Sequence, residues 1–296
     1  MGTLASDEFP IDAASCGQAG KAGFALAEIV RRSGRRAGAS VALFLAAAAA
    51  ARAHDTWIRP ARAAIPAGAL LSLEATSGMG FPAVEFAIAP ERVSAARVRL
   101  AGTVRDVAGV SAGKRSLRLS TPAGGQGIAC VWLETKPKSL DLKPDQVREY
   151  LEEIGADESI GKSWSATPNA RWREVYSKHA KTFVAVGAAG DDRSWGTPVG
   201  MRLEIVPLSD PTRMRAGDRV ALRLLRDGRP AADFPLGVVQ AGEKTGILRK
   251  TDAEGRIVFT AARPGWILIR ATELRRSPSP ERDWDSDFST LTLHVR

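Results

Sequence analysis

The sequence predicts a mainly β fold with two β-sandwich modules of the immunoglobulin-like kind, the first carrying a short helical insertion. From His54 onward, short stretches alternate apolar and polar residues, which is the period of strands with one buried face. Turn residues separate these stretches, and only one stretch has clear helical periodicity. The chain has 296 residues, of which 44% are hydrophobic and 25% charged, so it is long enough for one large or two ordinary domains.

The first predicted module spans residues 54–199. Within it Val98 and Leu100 alternate with Arg97 and Arg99, as in a strand with one face towards a core and the other towards water. A loop rich in glycine and aspartate near the end of this module is a predicted linker.

One helix is predicted in this module, at residues 144–154. Pro144 suits the first helical position, and Gly155 suits the position that follows the last turn. A weaker helical pattern covers residues 170–180, before a strand-like run at residues 182–186. The apolar face of the first helix consists of Val147, Tyr150, Leu151 and Ile154.

The second predicted module spans residues 200–296. Leu203 and Ile205 alternate with charged residues, and turns at residues 227–230 and 251–256 occur at the spacing of a β-sandwich. The final stretch also alternates, which predicts one buried side and one side in water. Its apolar residues are Leu291, Leu293 and Val295, and its polar residues are Thr290, Thr292 and His294.

Residues 1–53 are predicted to be a secretory signal segment. Four arginines between residues 31 and 36 precede an apolar run at residues 41–51, and the small-x-small pattern at residues 51–53 predicts cleavage before His54. The apolar run is shorter than the roughly 18–20 residues that a membrane-spanning helix needs. We therefore expect general secretion, a periplasmic location and no transmembrane segment after cleavage.

The start of translation is a separate hypothesis. Val30 stands directly before the arginines, and a valine codon can be a start codon. Translation from Val30 would give a signal peptide of 24 residues. Recovery of residues 1–29 by amino-terminal sequencing of the precursor would contradict this hypothesis.

The net charge and the cysteine content argue against a nucleic-acid partner and against a disulfide. The formal net charge is +9, and residues 1–53 hold six of the 42 basic and four of the 33 acidic residues, which leaves +7 for the rest. These basic residues are scattered among acids without interleaved aromatics, so no nucleic-acid partner is expected. Cys130 is the only cysteine after the predicted cleavage site, which excludes a disulfide within one mature chain, and it is expected in the core.

Cleavage before His54 would place an α-amine beside its imidazole ring, a pair of metal donors that internal histidines lack. The α-amine and the ring Nδ1 of an amino-terminal histidine can bind one metal ion together, and both are neutral donors around neutral pH at modest cost. Nitrogen donors in a tetragonal arrangement suit Cu(II) or Ni(II), with Zn(II) and Co(II) as further options. His54 fits an incidental cleavage product as well as a metal ligand. The metal hypothesis places the ion at His54, with help from Asp55 or His179.

Other candidate ligands are weaker. His179 has basic neighbours and His294 is predicted on the outer side of the last strand, so a surface or boundary histidine is favoured over a metal ligand for each. Residues 283–287 alternate acids as a calcium loop does, but Phe288 stands where such a loop needs glycine.

No enzyme is predicted. The sequence contains no Gly-x-Ser-x-Gly elbow, no phosphate-binding glycine loop and no His-Glu-x-x-His motif. Its seven tryptophans could provide a sugar-stacking surface, although most are expected in the core or at its boundary. Examples are Trp57, Trp164, Trp172 and Trp195.

Six short segments form an ordered set of motifs: residues 53–58, 149–155, 173–182, 227–230, 251–256 and 265–266. In this order they resemble a family of secreted bacterial proteins classed as a domain of unknown function. The resemblance covers nearly all of the chain after residue 53, and it implies an extracytoplasmic accessory protein of a nickel or cobalt transporter, with His54 as the residue that touches metal. The scarcity of histidines departs from a site built of several histidines.

These observations lead to one main hypothesis and two alternatives. The main hypothesis is a periplasmic, non-enzymatic protein that binds nickel or cobalt and passes it to a membrane transporter component. The first alternative is a carbohydrate- or protein-binding β-sandwich module with no metal role. The second is an oxidative copper enzyme, which would need another histidine beside His54.

Overall fold

Strands account for about half of the residues that the structure describes, as the alternating pattern predicts. The computed structural model describes residues 54–167, 171–243 and 246–296. The predicted signal segment, its cleavage site and the alternative start at Val30 lie outside these residues. Among the helices that are described, none is long and apolar enough to cross a membrane.

The described residues form nineteen strands, two α-helices and two short 3-10 helices. The first ten strands are β1 (Asp55–Pro60), β2 (Ala64–Ile65), β3 (Leu70–Gly78), β4 (Phe86–Ala87), β5 (Val93–Leu100), β6 (Thr103–Asp106), β7 (Gly109–Ala112), β8 (Leu117–Pro122), β9 (Gly127–Thr135) and β10 (Lys138–Leu142). The α-helices are α1 (Pro144–Glu153) and α2 (Glu158–Ser165), and the 3-10 helices are Pro90–Arg92 and Ser194–Gly196. The remaining strands are β11 (Trp172–Val186), β12 (Leu203–Pro207), β13 (Arg219–Arg226), β14 (Arg229–Pro230), β15 (Pro235–Gln240), β16 (Ile247–Lys250), β17 (Arg256–Thr260), β18 (Gly265–Arg276) and β19 (Trp284–Val295).

The strands form three sheets, of which the largest is shared by the two halves of the chain. Its order is β16-β15-β18-β19-β11-β9-β5-β6, with β2 and β10 also on β11. A five-stranded sheet has the order β1-β3-β8-β7, with β4 on β3, and a four-stranded sheet has the order β12-β13-β14, with β17 on β13. Strands β11 and β19 are parallel neighbours, so strands from both sides of the predicted boundary at residues 199 and 200 share one sheet.

Each smaller sheet covers part of the large one, which gives two sandwiches with separate cores and confirms the predicted fold class. Strand β9 shows the division, because its alternate residues enter different cores. Ala129, Val131 and Leu133 pack with the five-stranded sheet. Ile128, Cys130 and Trp132 pack in the core that holds the four-stranded sheet.

The helix predicted at residues 144–154 is confirmed as α1. It begins at Pro144, and its apolar face lies in a third cluster against Trp172 and Trp284. Gly155 follows with a φ of +65°, which glycine adopts without strain. The second helix, α2, was not predicted; Asp157 caps it by accepting a hydrogen bond from the Ser159 amide at 2.8 Å.

The helix predicted at residues 170–180 is wrong, because Trp172–Val186 is the strand β11. Its segment contains residues that also favour helices, but pairing with distant strands decides the conformation. Strand β11 pairs with β9 and β10 in antiparallel orientation and with β2 and β19 in parallel orientation. Local periodicity contains no information about these partners.

The prediction of one buried and one solvent-facing side is also wrong for the last strand. Thr290 and Thr292 are 3% and 0% exposed, although they lie opposite the apolar residues of β19. The central sheet is covered on both faces, so its polar residues are buried as well. Arg99 and Glu204, on two other predicted half-exposed strands, are likewise 5% and 1% exposed.

A buried ion pair joins the central sheet to the four-stranded sheet. Lys181 Nζ on β11 lies 2.6 Å from Glu204 Oε1 on β12, and both side chains are at most 2% exposed. The Glu204 carboxylate also accepts hydrogen bonds from the backbone amides of Val199, Gly200 and Met201. Every charge in this part of the core therefore has a partner.

We predict that removing Glu204 and removing Lys181 lower the free energy of unfolding by different amounts. Glu204→Leu leaves the Lys181 ammonium buried without its carboxylate, and we expect it to lower the free energy of unfolding by about 3–5 kcal/mol. Lys181→Met leaves a carboxylate that keeps three backbone donors, so its loss should be smaller by at least about 1 kcal/mol. Urea denaturation of both variants checks this; equal losses would contradict the asymmetry.

Candidate functional site

His54 is held at the edge of a small cavity. Its backbone carbonyl accepts a hydrogen bond from Lys178 Nζ. Its ring lies 5.1 Å from the ring of Phe86, tilted by 51°. The next residue begins β1, where Asp55 pairs with Gly78 of β3. His54 is thus fixed to strands of two different sheets.

The cavity beside His54 has a volume of about 190 Å³. Lys178 is buried in its wall, and burial lowers the pKa of this amine to about 8. The Lys178 Nζ lies 5.4 Å from the ring centre of Tyr176 and 5.7 Å from that of Phe288. The cavity therefore combines amines with aromatic rings. Its lining residues are His54, Ser77, Lys138, Leu140, Tyr176, Lys178 and Phe288.

Asp55 is engaged away from this cavity. Its Oδ2 lies 2.7 Å from Arg270 Nη1, and the same guanidinium nitrogen lies 2.5 Å from Glu153 Oε1. Burial raises the pKa of Glu153, although Arg270 opposes that shift. One guanidinium thus ties β1 to α1 and β18, and a metal at His54 would have to compete with Arg270 for the Asp55 carboxylate.

His179 contacts acids on the other face of β11. Its Nε2 lies 3.1 Å from Asp287 Oδ1, and its Nδ1 lies 3.2 Å from Glu134 Oε2. Burial opposes the charged imidazolium, but the hydrogen bond to Asp287 and the nearby Glu134 carboxylate outweigh it and raise the pKa of His179 to about 9. At neutral pH both ring nitrogens are protonated, so neither has a lone pair for a metal.

The acids around His179 belong to a larger charged network. Asp287 Oδ2 lies 2.6 Å from Arg275 Nη1 and 3.1 Å from Arg202 Nε. Arg275 also lies 2.8 Å from Glu273. Asp287 is 5% exposed and its pKa is lowered, since the bonds from His179 and Arg275 outweigh the effect of burial. Because each of these charged groups contacts a group of opposite charge, they can lie together at the boundary of the second sandwich.

The structure therefore brings together only part of the predicted site. His54 and Asp55 are neighbours, but His179 and Lys178 are successive residues of a strand and point to opposite faces, with Lys178 on the side of His54. His294 is a half-buried boundary residue, as expected, with its ring 4.7 Å from that of Trp266. Within the described ranges, no group of three or more His, Cys, Asp or Glu is arranged to hold a metal ion.

Sequence reasoning missed the residues that surround His54. Lys178 and Tyr176 lie in the segment predicted as a helix, where they would not share a face. On a strand they are two residues apart and face the same cavity. The tryptophans follow the prediction: Trp57, Trp172 and Trp195 are at most 8% exposed, and Trp164 is half-buried.

We predict that the His179 network makes stability fall at alkaline pH. The folded pKa of about 9 lies above the ordinary value of 6.5, so the contribution is complete below pH 6.5 and is lost as the pH rises through 9. Its size is on the order of 3 kcal/mol. Urea denaturation between pH 6 and 9.5 measures this loss.

The matched control for this prediction is His179→Gln, whose free energy of unfolding should vary less over the same range. NMR titration of the imidazole gives the pKa directly. A value near 6.5 would contradict the prediction.

Comparisons with known proteins place the chain in a family and go no further. No curated protein matches the sequence. Among solved structures, the chain is similar to the D0-D1 domain of intimin (10% identity, 81% of this chain and 98% of that one, TM-score 0.20). It is also similar to the adhesin InvE of Yersinia pseudotuberculosis (12% identity, 80% of this chain and 58% of that one, TM-score 0.21). A third similar structure is an ICAM-5 D1-D4 ectodomain fragment (11% identity, 81% of this chain and 50% of that one, TM-score 0.20).

Scores this low carry no argument about function, so the family model is the finding that matters. The model described as Domain of unknown function (DUF4198) matches residues 51–273, which is most of the chain. The resemblance found in the sequence motifs is to a family of this class. The chain belongs to the DUF4198 family.

Proposed function

We propose that the mature protein begins at His54, works outside the cytoplasm and binds a divalent transition metal, Ni(II) or Co(II), through the His54 amine and imidazole. The proposed role is to carry the ion to a membrane transporter component, and it involves binding and transfer but no catalysis. The family itself has no established function, so the proposal depends on the chemistry of this chain.

The anchoring of His54 is the observation that carries the proposal. The residue is fixed by the bond from Lys178 to its carbonyl, by ring contact with Phe86 and by the start of β1. A chelating residue gains affinity from such fixation, because fewer conformations are lost when the ion binds.

The groups around His54 favour a metal ion that is released to a partner over one that is stored. Asp55 is bound to Arg270, and His179 is protonated on the opposite face of β11, so the His54 amine and ring are the chelating pair. The amines of Lys138 and Lys178 nearby disfavour a cation through charge repulsion. Two nitrogen donors leave other coordination positions for ligands from a partner, as an ion that must be released requires.

The first test is calorimetric titration with Ni(II), Co(II) and Cu(II) of protein whose first residue is His54. A second preparation carries an acetyl group on the His54 amine, which converts the amine to an amide and supplies no new terminal amine. We expect acetylation to weaken binding by at least about tenfold, because the chelate is lost. Equal affinities of the two preparations would exclude an amino-terminal chelate.

Two variants assign the binding to one histidine. His54→Gln should weaken binding as much as acetylation does, while His294→Gln, the matched control on a half-buried histidine, should leave the affinity unchanged. Intact mass spectrometry of the secreted protein checks the predicted first residue independently. A mature protein that begins elsewhere would overturn the proposal.

A further inference from the structure

A second cavity lies away from His54 and shares no lining residue with the His54 cavity. Its volume is about 400 Å³, within the range of small-molecule sites. The helix α2, the start of β11, the end of β18 and the start of β19 form its walls. We call it the tryptophan cleft; its lining residues are Ile160, Ser163, Trp164, Thr167, Arg171, Trp172, Arg173, Arg276, Asp283 and Trp284.

Three tryptophans give the cleft an ordered aromatic wall. The rings of Trp172 and Trp284 are stacked, with centres 5.0 Å apart and planes 17° apart. Trp164 meets Trp172 edge-on at 5.5 Å and 78°. Trp172 and Trp284 are at most 5% exposed, whereas Trp164 is half-buried. The inner rings therefore fix the wall, and Trp164 is the ring that a ligand can reach.

The lining of the cleft contains more guanidinium groups than carboxylates. Arg173 and Asp283 neutralise each other through two contacts of 3.0 and 3.3 Å. Arg276 lies 4.0 Å above the ring of Trp284 and forms no ion pair with a described carboxylate. Arg171 has a side chain that is 79% exposed, and Asp141, 4.0 Å away, is its nearest acid. The described lining thus holds three guanidinium groups and one carboxylate.

Hydroxyl groups complete the set of polar groups. Thr167 and Ser163 line the cleft and are exposed, and the Thr167 hydroxyl donates to the Ser163 carbonyl at 3.0 Å. A ligand with hydroxyls of its own could bond to both side chains. A purely apolar ligand would leave these groups and the guanidinium groups without partners, which costs affinity.

We propose that the tryptophan cleft binds an acidic saccharide, a sugar ring that carries a carboxylate. The C–H face of the ring would lie on Trp164, as sugar rings lie on aromatic side chains. The carboxylate would accept hydrogen bonds from Arg276 and Arg171, which match carboxylates in planar geometry. Ser163 and Thr167 would bond to ring hydroxyls. The proposal is independent of the metal role of His54.

The experiment is calorimetric titration of the protein with trigalacturonate, accompanied by tryptophan fluorescence. The comparison ligands are the methyl-esterified trisaccharide, which keeps the ring but loses the charge, and tripolyphosphate, which keeps the charge but loses the ring. We expect saturable binding of trigalacturonate, at least about tenfold weaker binding of the ester, and no comparable binding of tripolyphosphate. Absence of binding, or equal binding of either comparison ligand, would overturn the proposal.

Variants locate the binding within the molecule. Arg171→Gln and Arg276→Gln should each weaken trigalacturonate binding by about tenfold. Arg171 is mostly exposed, so its variant remains informative even if the loss of Arg276 disturbs the packing of Trp284. Arg249→Gln, on exposed strand β16, is the matched control and should bind normally. Equal effects of Arg171→Gln and Arg249→Gln would refute the assignment to this cleft.

Discussion

Strand β11 has to serve two hydrophobic cores at once, and much of the molecule is arranged around this constraint. Its alternate residues enter opposite sandwiches, so Ala180 and Val184 pack with the five-stranded sheet while Phe183 packs with the four-stranded sheet. Both of its edges are also paired. A polar residue on such a strand cannot turn to water and needs a partner in the protein. Lys181 and His179 both meet this requirement with carboxylates.

The same constraint applies to a further buried charged residue of β11, which stabilises the fold and is not proposed to bind a ligand. Glu174, also on β11, accepts hydrogen bonds from Tyr150, Trp172 and Ser286, so it stabilises the base of the tryptophan cleft. The groups proposed to meet a saccharide are more accessible: the Arg171 side chain is 79% exposed, and Trp164 is half-buried.

The sequence predicts the parts of this structure that depend on local patterns. Alternation predicts a mainly β fold, and Pro144, Gly155 and the apolar face between them predict α1. The errors concern the conformation of β11 and the burial of polar residues on β5, β12 and β19, because pairing and packing with distant parts of the chain decide both. The same holds for the sites: His54 follows from a cleavage pattern, whereas Lys178 joins it only through the tertiary fold.

The parallel pairing of β11 with β19 has a consequence for how the chain folds. Glu174 pairs with Trp284, so this ladder joins residues that are 110 positions apart in the chain. Closing such long loops is entropically costly and makes folding slow. Because synthesis proceeds from the amino terminus, the central sheet cannot be completed until the last strand has been made. Until then, the edge of β11 that β19 covers is unpaired, and an unpaired strand edge is prone to aggregation.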